Sequence, residues 1–411
     1  MNFEYFLAQR LQQNKFNRKK TSSAILKIAI VAIAISLVMM LVSIATGLGL
    51  QQKIREKVVA FSGHITISSF ENNQSESSLE PLNIQQNFYP NFTTIQGIKH
   101  VQAVATKTGI IRTEKTFEGV VFKGIGTDYD PQYLKEYLVE GRFPKIDTTT
   151  SNEVLLSAYL ANRLELKIGS KFKMFFLRDN QEKLPFIRQF TLVGIYNSDF
   201  QDFDSTYLIG DLKHIQRMNK WQANQAGSFE VFINDFTKIE EIGQQVYQEI
   251  PPTLNSKTIT EKYFSIFEWL KLFDTNILII LLVMIIVATI NMAVALLVLI
   301  LERTQMIGVL KALGATNWQL RKVFLYNAFY LIIRGLIWGN AIALLLLFVQ
   351  KYFKVIQLPP ESYYVNTAPV YISFDYFLAV NLGTICICLL VLLLPSYIIT
   401  KISPAKAIRF D

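Results

Sequence analysis

Four long runs of apolar residues dominate the pattern of this chain, at residues 28–50, 276–301, 323–348 and 376–400. A helix needs about 20 largely apolar residues to cross the roughly 30 Å of hydrocarbon in a bilayer, and each run is long enough. A long polar stretch, residues 51–271, separates the first run from the second and is large enough to fold around a core of its own. The pattern predicts a membrane protein with four transmembrane α-helices and one large domain between helices 1 and 2.

Within the polar stretch, apolar and polar residues alternate in short runs that are typical of strands. Such runs lie at 64–68, 101–106, 119–124, 171–177, 188–195 and 228–233. Two segments, 152–166 and 235–249, repeat apolar residues at helical spacing instead, so the mixture predicts an α+β domain. Residues 261–272 are predicted to form a helix that continues unbroken into the second apolar run. A stiff helix of this kind can transmit displacement across the membrane boundary.

The 411 residues are 51% hydrophobic and 18% charged, and the formal net charge is +9. The basic residues cluster beside the ends of the apolar runs. They are Arg10, Lys15, Arg18, Lys19 and Lys20, then Arg303, Lys311, Arg321 and Lys322, and finally Lys401, Lys406 and Arg409. Since cytoplasmic segments next to membrane spans are rich in lysine and arginine, this distribution places both termini in the cytoplasm and residues 51–271 outside it. The net charge therefore reflects topology and does not indicate nucleic-acid binding.

These patterns divide the chain into nine segments. They are a cytoplasmic amphipathic N-terminal helix (1–23), transmembrane helix 1 (24–50), the exported α+β domain (51–271), transmembrane helix 2 (272–302), a cytoplasmic helix and turn (303–322), transmembrane helix 3 (323–350), an outer loop (351–374), transmembrane helix 4 (375–400) and a cytoplasmic tail (401–411). The N-terminal helix is predicted from apolar residues at helical spacing between Phe3 and Leu11, with a frayed tail as the alternative. Both cysteines, Cys386 and Cys388, fall in the fourth apolar run and cannot crosslink the exported domain.

The sequence contains no G-x-x-x-x-G-K-[ST] phosphate-binding loop, no G-x-S-x-G nucleophile elbow and no H-E-x-x-H metal motif. The three histidines, His64, His100 and His214, are far apart and lack the spacing of metal ligands, so each is predicted to be structural. The chain is therefore not predicted to be an enzyme or to hold a cofactor of its own.

The segment between the second and third runs has a distinct pattern. Apolar residues between Met306 and Leu313 form one side of a short helix, and Gly314 suits the position just past its end. Thr316 and Gln319 match a capping box, so Thr316 is predicted to begin the next helix. Geometry alone leaves two interpretations open, a plain connection between two spans or a short helix that docks a partner.

Three segments resemble FtsX-like ABC permeases. The stretch ERTQMIGVLKALGA is similar to the coupling helix of that family, E-I-G-x-L-[KR]-A-[LM]-G-A, with Met306 in place of the usual acid. The ending PSYIITKISPAKAIRF resembles the closing motif of the family, with Lys406 in place of an acid, and EGRFP followed by SNEVLLSAYLANRLELKIGSKF resembles its MacB-like periplasmic core domain. SGHITI and LPPESYYVNTAPV are similar to the lipoprotein-releasing (LolC/LolE-type) branch, whereas MacB-type exporters usually carry a fused ATPase domain.

The resemblance implies a MacB/FtsX-type permease fold in the bacterial inner membrane, with the large domain in the periplasm. It implies a complex of two permease subunits, identical or paralogous, with two separate ATPase subunits that bind ATP and Mg²⁺. The chain would extract lipoproteins from the outer leaflet through an apolar cavity formed by the first two spans of each permease, and pass them to a periplasmic chaperone. The expected ATPase-coupling residues are Ile307, Gly308, Val309, Leu310, Lys311, Leu313, Gly314 and Trp318. The alternatives are a MacB-like efflux permease for peptides or amphiphiles, and an FtsX-like scaffold that activates a cell-wall hydrolase.

A longer connection than a plain hairpin needs separates the strand-like runs 171–177 and 188–195. It ends in an apolar cluster, residues 184–187, which is expected either to bind a partner or to pack back onto the domain. The resemblance implies that this is the hook by which such a permease recruits its chaperone. The expected chaperone contacts are Leu184, Pro185, Phe186 and Arg188.

Two further features lie near the third and fourth spans. Arg334 is a charge inside the third apolar run, so it is expected either to snorkel to the cytoplasmic side or to contact a protein or lipid-phosphate partner. Tyr363 and Tyr364 precede the fourth run and are predicted to be interfacial anchors.

Overall fold

The computed structural model describes residues 4–7, 10, 20–177 and 184–402. The chain forms two compact units. The membrane unit consists of Met1–Gln51, Trp269–Gln357 and Thr367–Asp411, and the domain unit of Gln52–Glu268 and Leu358–Asn366. Most of the predicted N-terminal helix and of the cytoplasmic tail lies outside the described residues.

Along the described chain, short helices are interspersed with strands between the long helices Lys20–Ser62 and Phe264–Glu302, and further helices follow the second of these. The helices are α1 (Lys20–Ser62), α2 (Gln132–Lys135), α3 (Ala158–Arg163), α4 (Gln201–Asp204), α5 (Lys213–Asn219), α6 (Ile239–Glu249), α7 (Ile259–Lys262), α8 (Phe264–Glu302), α9 (Thr304–Ala312), α10 (Asn317–Phe353), α11 (Pro360–Tyr363), α12 (Phe374–Ser396) and α13 (Ile398–Lys401). The strands are β1 (Ile65–Ser69), β2 (Leu82–Asn83), β3 (Ile98–Arg112), β4 (Phe117–Ile125), β5 (Leu138–Gly141), β6 (Glu153–Ser157), β7 (Lys171–Phe176), β8 (Phe186–Tyr196), β9 (Tyr207–Asp211), β10 (Gln225–Ala226), β11 (Ser228–Ile233) and β12 (Leu254–Thr258).

Four helices of the described chain are long and apolar enough to cross a membrane, namely α1, α8, α10 and α12. Small residues let α10 pack closely on α1, since a Cβ added at Gly335 would lie 2.7 Å from Ile33. Between α10 and α12, the amides of Asn340 and Asn381 donate to each other at 2.8 and 3.2 Å. The structure therefore confirms the prediction of four spanning helices.

The domain unit is built on a mixed ten-stranded sheet with the order β12-β1-β11-β3-β4-β9-β6-β8-β5, and β7 pairs with both β3 and β8. Most neighbouring strands are antiparallel, whereas β4 with β9 and β6 with β8 are parallel. Helices connect several of the strands, so the predicted α+β class is confirmed. The core of the domain unit contains large aromatic side chains that are fully buried, among them Phe122, Phe190, Tyr196 and Phe229.

Two local predictions were wrong. The helix predicted at 152–166 is a strand, β6, followed by the short helix α3, which Ser157 caps by accepting a hydrogen bond from the Leu160 N–H at 3.1 Å. Because β6 is almost entirely buried, it reads as a continuous apolar run rather than an alternating one. The helix predicted from 261 breaks at Tyr263, whose φ and ψ are −112° and 43° and whose hydroxyl lies 2.6 Å from Ser62 Oγ.

Tyr364 of the outer loop has partners in the domain unit. Tyr364 belongs to the domain unit, and its ring stacks on Phe200 with centroids 4.4 Å apart. Its carbonyl oxygen accepts a hydrogen bond from the buried amine of Lys57 at 2.8 Å. Tyr364 therefore anchors the segment Leu358–Asn366 to the rest of the domain unit through aromatic stacking, and the role of the two tyrosines at a lipid interface stays a prediction.

Candidate functional site

The short helix α9 and the turn after it have the predicted form. Gly314 adopts a left-handed conformation with φ +96°, which ends the helix without steric strain. Thr316 then caps α10, since its Oγ1 accepts from the Gln319 N–H at 3.3 Å while the Gln319 side chain accepts from the Thr316 N–H at 2.9 Å. Both ends of this connection are thus held by local hydrogen bonds, and α9 has a defined orientation.

Five of the eight residues predicted to couple to an ATPase fall into two groups by exposure, and Leu310 is partly buried against the core of the membrane unit. Ile307 and Gly308 are buried against the core of the membrane unit and are not accessible to a partner. Val309, Leu313 and Trp318 are 43%, 78% and 52% exposed. We call these three residues the coupling surface. Exposed apolar residues that lie close together in the chain are typical of a protein-binding surface.

Lys311 was expected to contact an ATPase, but in the structure its amine binds the end of the fourth span. Its amine donates hydrogen bonds to the carbonyl oxygens of Ile399 at 2.6 Å and Ile402 at 2.8 Å, at the end of α13. Arg321 donates to Ser396 Oγ and to the Leu393 carbonyl, both at 3.0 Å, beside Pro395 in α12. Cations are favourable at helix C-termini because the last carbonyl groups have no partner within the helix. The two residues therefore tie α9 and the start of α10 to the end of the fourth span.

An apolar groove of about 500 Å³ lies in the membrane unit between α1 and α10. Its lining is Lys27, Ile30, Val31, Ala34, Ile35, Val38, Met39, Trp338 and Ile342. This groove is formed by spans 1 and 3 of one chain. The cavity that the resemblance implies requires the first two spans of both permeases and stays a prediction. On α8, a separate stripe of exposed apolar side chains recurs at helical spacing between Leu278 and Val294.

Arg334 lies on the exposed side of α10, and its guanidinium is 4.3 Å from the centre of the Tyr330 ring. A cation held over an aromatic face is stabilised by the ring quadrupole. The contact gives Arg334 a protein partner one turn away on its own helix, which agrees with the second of the two predicted arrangements.

The hook candidate is partly described. Leu184 is 85% exposed, whereas Phe186 and Arg188 belong to β8, opposite Phe176 and Met174 of β7. The strand begins two residues earlier than predicted because aromatic and β-branched residues favour cross-strand pairing. Residues 178–183 lie outside the described residues. The structure thus places Leu184 and Pro185 directly before β8, in the connection between β7 and β8, and Phe186 in the strand pairing itself.

Each histidine contacts a backbone group of the domain. His64 Nδ1 accepts from the Ile233 N–H at 3.2 Å, and burial, with a smaller effect of Lys99, lowers the pKa of His64 to about 4. The Nε2 atoms of His100 and His214 lie 2.8 and 2.9 Å from the carbonyl oxygens of Asp128 and Ser151. These contacts are those of structural histidines.

Comparison with known proteins matches both units. The model of the MacB-like periplasmic core domain matches residues 26–248, and the model of the FtsX-like permease C-terminal region matches residues 278–404. Among curated relatives, the lipoprotein-releasing system transmembrane protein LolC of Haemophilus influenzae is 24% identical over 402 residues, covering 97% of this chain and 95% of that protein. LolE of the same organism is 19% identical over 421 residues and 99% of each chain. The periplasmic region of MacB from Actinobacillus actinomycetemcomitans aligns with 49% of this chain at 16% identity and a TM-score of 0.33, covering 91% of that structure.

Proposed function

This chain belongs to the family of FtsX-like permeases with a MacB-like periplasmic core domain, and on that premise we propose that it is the permease subunit of a lipoprotein-releasing ABC transporter. In this proposal it extracts lipoproteins from the outer leaflet of the bacterial inner membrane. It passes them to a periplasmic chaperone, with both chain termini in the cytoplasm. The observation that carries the proposal is the alignment of nearly the whole chain with two relatives that are both named for lipoprotein release.

In this proposal the coupling surface contacts the ATPase subunits that drive transport. The sequence has no phosphate-binding loop, so two separate ATPase subunits would bind ATP and Mg²⁺ and press on Val309, Leu313 and Trp318. Because Lys311 and Arg321 bind the end of the fourth span, a displacement of α9 would move that span as well. A second permease, identical or paralogous, completes the assembly.

The apolar groove and the exposed stripe on α8 supply surfaces for acyl chains. Transfer of each CH₂ group of a lipid chain into water costs about 0.8 kcal/mol, so a triacylated protein does not leave the membrane without an external source of energy. Side chains such as Val31, Ile35 and Met39 offer an acyl chain an apolar surface without hydrogen-bonding groups. Movement of the spans under ATPase closure would remove that surface and release the lipoprotein.

Depletion of the chain in its host tests the proposal. We expect triacylated lipoproteins to accumulate in the inner membrane within a few generations, while periplasmic proteins without a lipid anchor are exported normally. Membrane fractionation followed by immunoblotting measures both, and expression of the intact chain from a plasmid is the control. Normal lipoprotein sorting together with loss of amphiphile export indicates an efflux permease, and normal sorting in unseparated cells indicates a hydrolase-activating scaffold.

The hook proposal leads to a second test. Replacing Leu184 and Pro185 together with serine is expected to weaken chaperone binding by tenfold or more, since burying one leucine at an interface is worth roughly 1.5–3 kcal/mol. Phe186 stays unchanged because it belongs to the β7–β8 ladder and its loss would disturb the fold. Affinity of the solubilised chain for the chaperone is the measurement.

The matched control for the hook is Leu79→Ser, which removes an exposed leucine elsewhere in the same domain. The control is expected to bind the chaperone as the unaltered chain does. Equal affinities for all three proteins contradict the hook assignment, and a lowered melting temperature of the Leu184→Ser/Pro185→Ser variant shows that the two residues pack on the domain instead.

A further inference from the structure

The domain unit contains a large concavity that the proposed function leaves unused. It has a volume of about 1070 Å³ and lies on one face of the sheet around β12, β1, β11 and β3. Residues of α6 and of the segments 75–78 and 202–207 also line it. We call it the polar cleft. Its volume lies at the upper end of the roughly 300–1,000 Å³ of small-molecule sites, so the cleft is large enough for several residues of an extended polypeptide.

Strand alternation makes the floor of the cleft polar. In β1, Ile65 and Ile67 are fully buried, whereas Thr66 and Ser68 line the cleft. Across the ladder, Thr66 is opposite Glu230 and Ser68 is opposite Ser228, so hydroxyl and carboxylate groups form rows on this face. An acyl chain would desolvate these groups without replacing their hydrogen bonds, which excludes a lipid as the occupant.

The charges of the cleft exclude anionic ligands. In its floor, Lys123 and Glu230 form a buried ion pair at 2.5 Å, so they contribute no net charge. Around the pair the lining has more acidic than basic side chains. The acidic ones are Glu76, Asp202, Glu240 and Glu261, and the basic ones are Lys257 and Lys262. A phosphorylated or nucleic-acid ligand would be repelled, whereas a polypeptide rich in hydroxyl, amide and amino groups fits this lining.

The edge of the sheet offers main-chain groups as well. β12 is the terminal strand of the sheet, and its residues 255–258 line the cleft. In the part of the chain that the structure describes, β1 is the one strand that pairs with β12. An open edge strand pairs with an extended peptide through backbone hydrogen bonds, which depend little on side-chain identity.

From these observations we infer that the polar cleft binds the extended, polar polypeptide segment that follows the lipid anchor of a lipoprotein. The inference rests on the proposed function and adds a second contact beside the acyl chains. The cleft is also lined by Phe61, Ser62 and Tyr263. α1 ends at Ser62, and Tyr263 directly precedes α8. α1 also lines the apolar groove, so the same helix contributes residues to the groove and to the cleft. Recognition through backbone and hydroxyl groups would let one site accept lipoproteins of different sequence.

Site-specific photo-crosslinking in the full transporter tests the inference. The photoreactive residue p-benzoylphenylalanine replaces Tyr247 on the cleft wall, Val139 on β5 at the other edge of the sheet, or Met39 in the apolar groove. All three side chains are exposed, so the substitutions leave the core intact. The probes are a triacylated lipoprotein and the same lipoprotein with its polar segment deleted.

We expect the lipoprotein to crosslink at Tyr247 at least tenfold more than at Val139, and deletion of the polar segment to abolish the Tyr247 product while the Met39 product remains. Crosslinking at Met39 without crosslinking at Tyr247 overturns the inference alone. Equal yields at Tyr247 and Val139, or a Tyr247 product that survives the deletion, also overturn it. Absence of lipoprotein products at all three positions contradicts the proposed function, and the inference falls with it.

Discussion

Replacing Val309 and Leu313 together with glutamate is expected to abolish ATP-driven lipoprotein release while the permease still inserts and folds. Both side chains are exposed on α9 and belong to the coupling surface. Hot-spot residues of an interface contribute 2 kcal/mol or more each, and carboxylates buried there without a partner add to the loss, so release is expected to fall at least about a hundredfold. Release from proteoliposomes and copurification of the ATPase are the two measurements.

The design separates docking from folding. Ile307, Gly308 and Lys311 stay unchanged because they pack or bind within the membrane unit, and their loss would disturb the helices themselves. The matched control is Val355→Glu/Ile356→Glu, which places the same charges on two exposed apolar residues of the outer loop. Retained release in the α9 variant, or equal loss in the outer-loop variant, contradicts the assignment of the coupling surface.

Local signals in the sequence were sufficient for the membrane unit. A bilayer requires about 20 apolar residues for each span, so the four spans are visible without any knowledge of their packing. Thr316, Gln319 and Gly314 act through neighbouring backbone groups, and their turn and cap were predicted residue by residue. The division of α9 into buried and exposed residues was not predictable. Ile307 and Val309 are equally apolar, and their difference in exposure is set by helices that are distant in the chain.

In the domain, features that depend on pairing between segments distant in the chain could not be predicted from the sequence. β9 was not predicted, and its parallel partner is β4, where Val121 is opposite Tyr207. β6 was assigned to a helix because a strand buried between β8 and β9 loses its alternation. The cleft was missed for the same reason. Lys123 interrupts an apolar strand, and nothing near it in sequence indicates that Glu230 is its partner.

Loss of the Lys123 amine is expected to be the most destabilising single change in the domain. Lys123 and Glu230 are 3% and 6% exposed and lie 2.5 Å apart, and Glu230 also accepts from Gln102 Nε2 at 2.8 Å. Burial lowers the pKa of Lys123 and the carboxylate of Glu230 opposes that shift, so the charge of the amine depends on this partner. Removing one member of a buried pair costs about 3–5 kcal/mol because the other charge is left without compensation.

A matched pair on the surface gives the comparison. Lys115 and Glu165 lie 2.6 Å apart and are 74% and 65% exposed, so Lys115→Met is expected to cost less than about 1 kcal/mol. Lys123→Met removes the same amine from a pair of nearly the same length, and the two variants differ chiefly in burial. Hydrogen exchange of the domain within the solubilised chain measures both free energies of unfolding. Equal effects of the two variants contradict the assignment.

The double variant Lys123→Met/Glu230→Met distinguishes an uncompensated charge from a lost hydrogen bond. Removing both charges relieves the burial penalty, so the double variant is expected to be more stable than Lys123→Met alone. It should still be less stable than the unaltered chain by about 1–3 kcal/mol, because the Phe61 carbonyl loses the Lys123 donor at 2.6 Å and Gln102 loses its acceptor. A double variant that is less stable than both single variants indicates that Lys123 and Glu230 stabilise the domain independently, through their hydrogen bonds to the Phe61 carbonyl and to Gln102, and it contradicts the uncompensated charge as the cause of the loss in Lys123→Met.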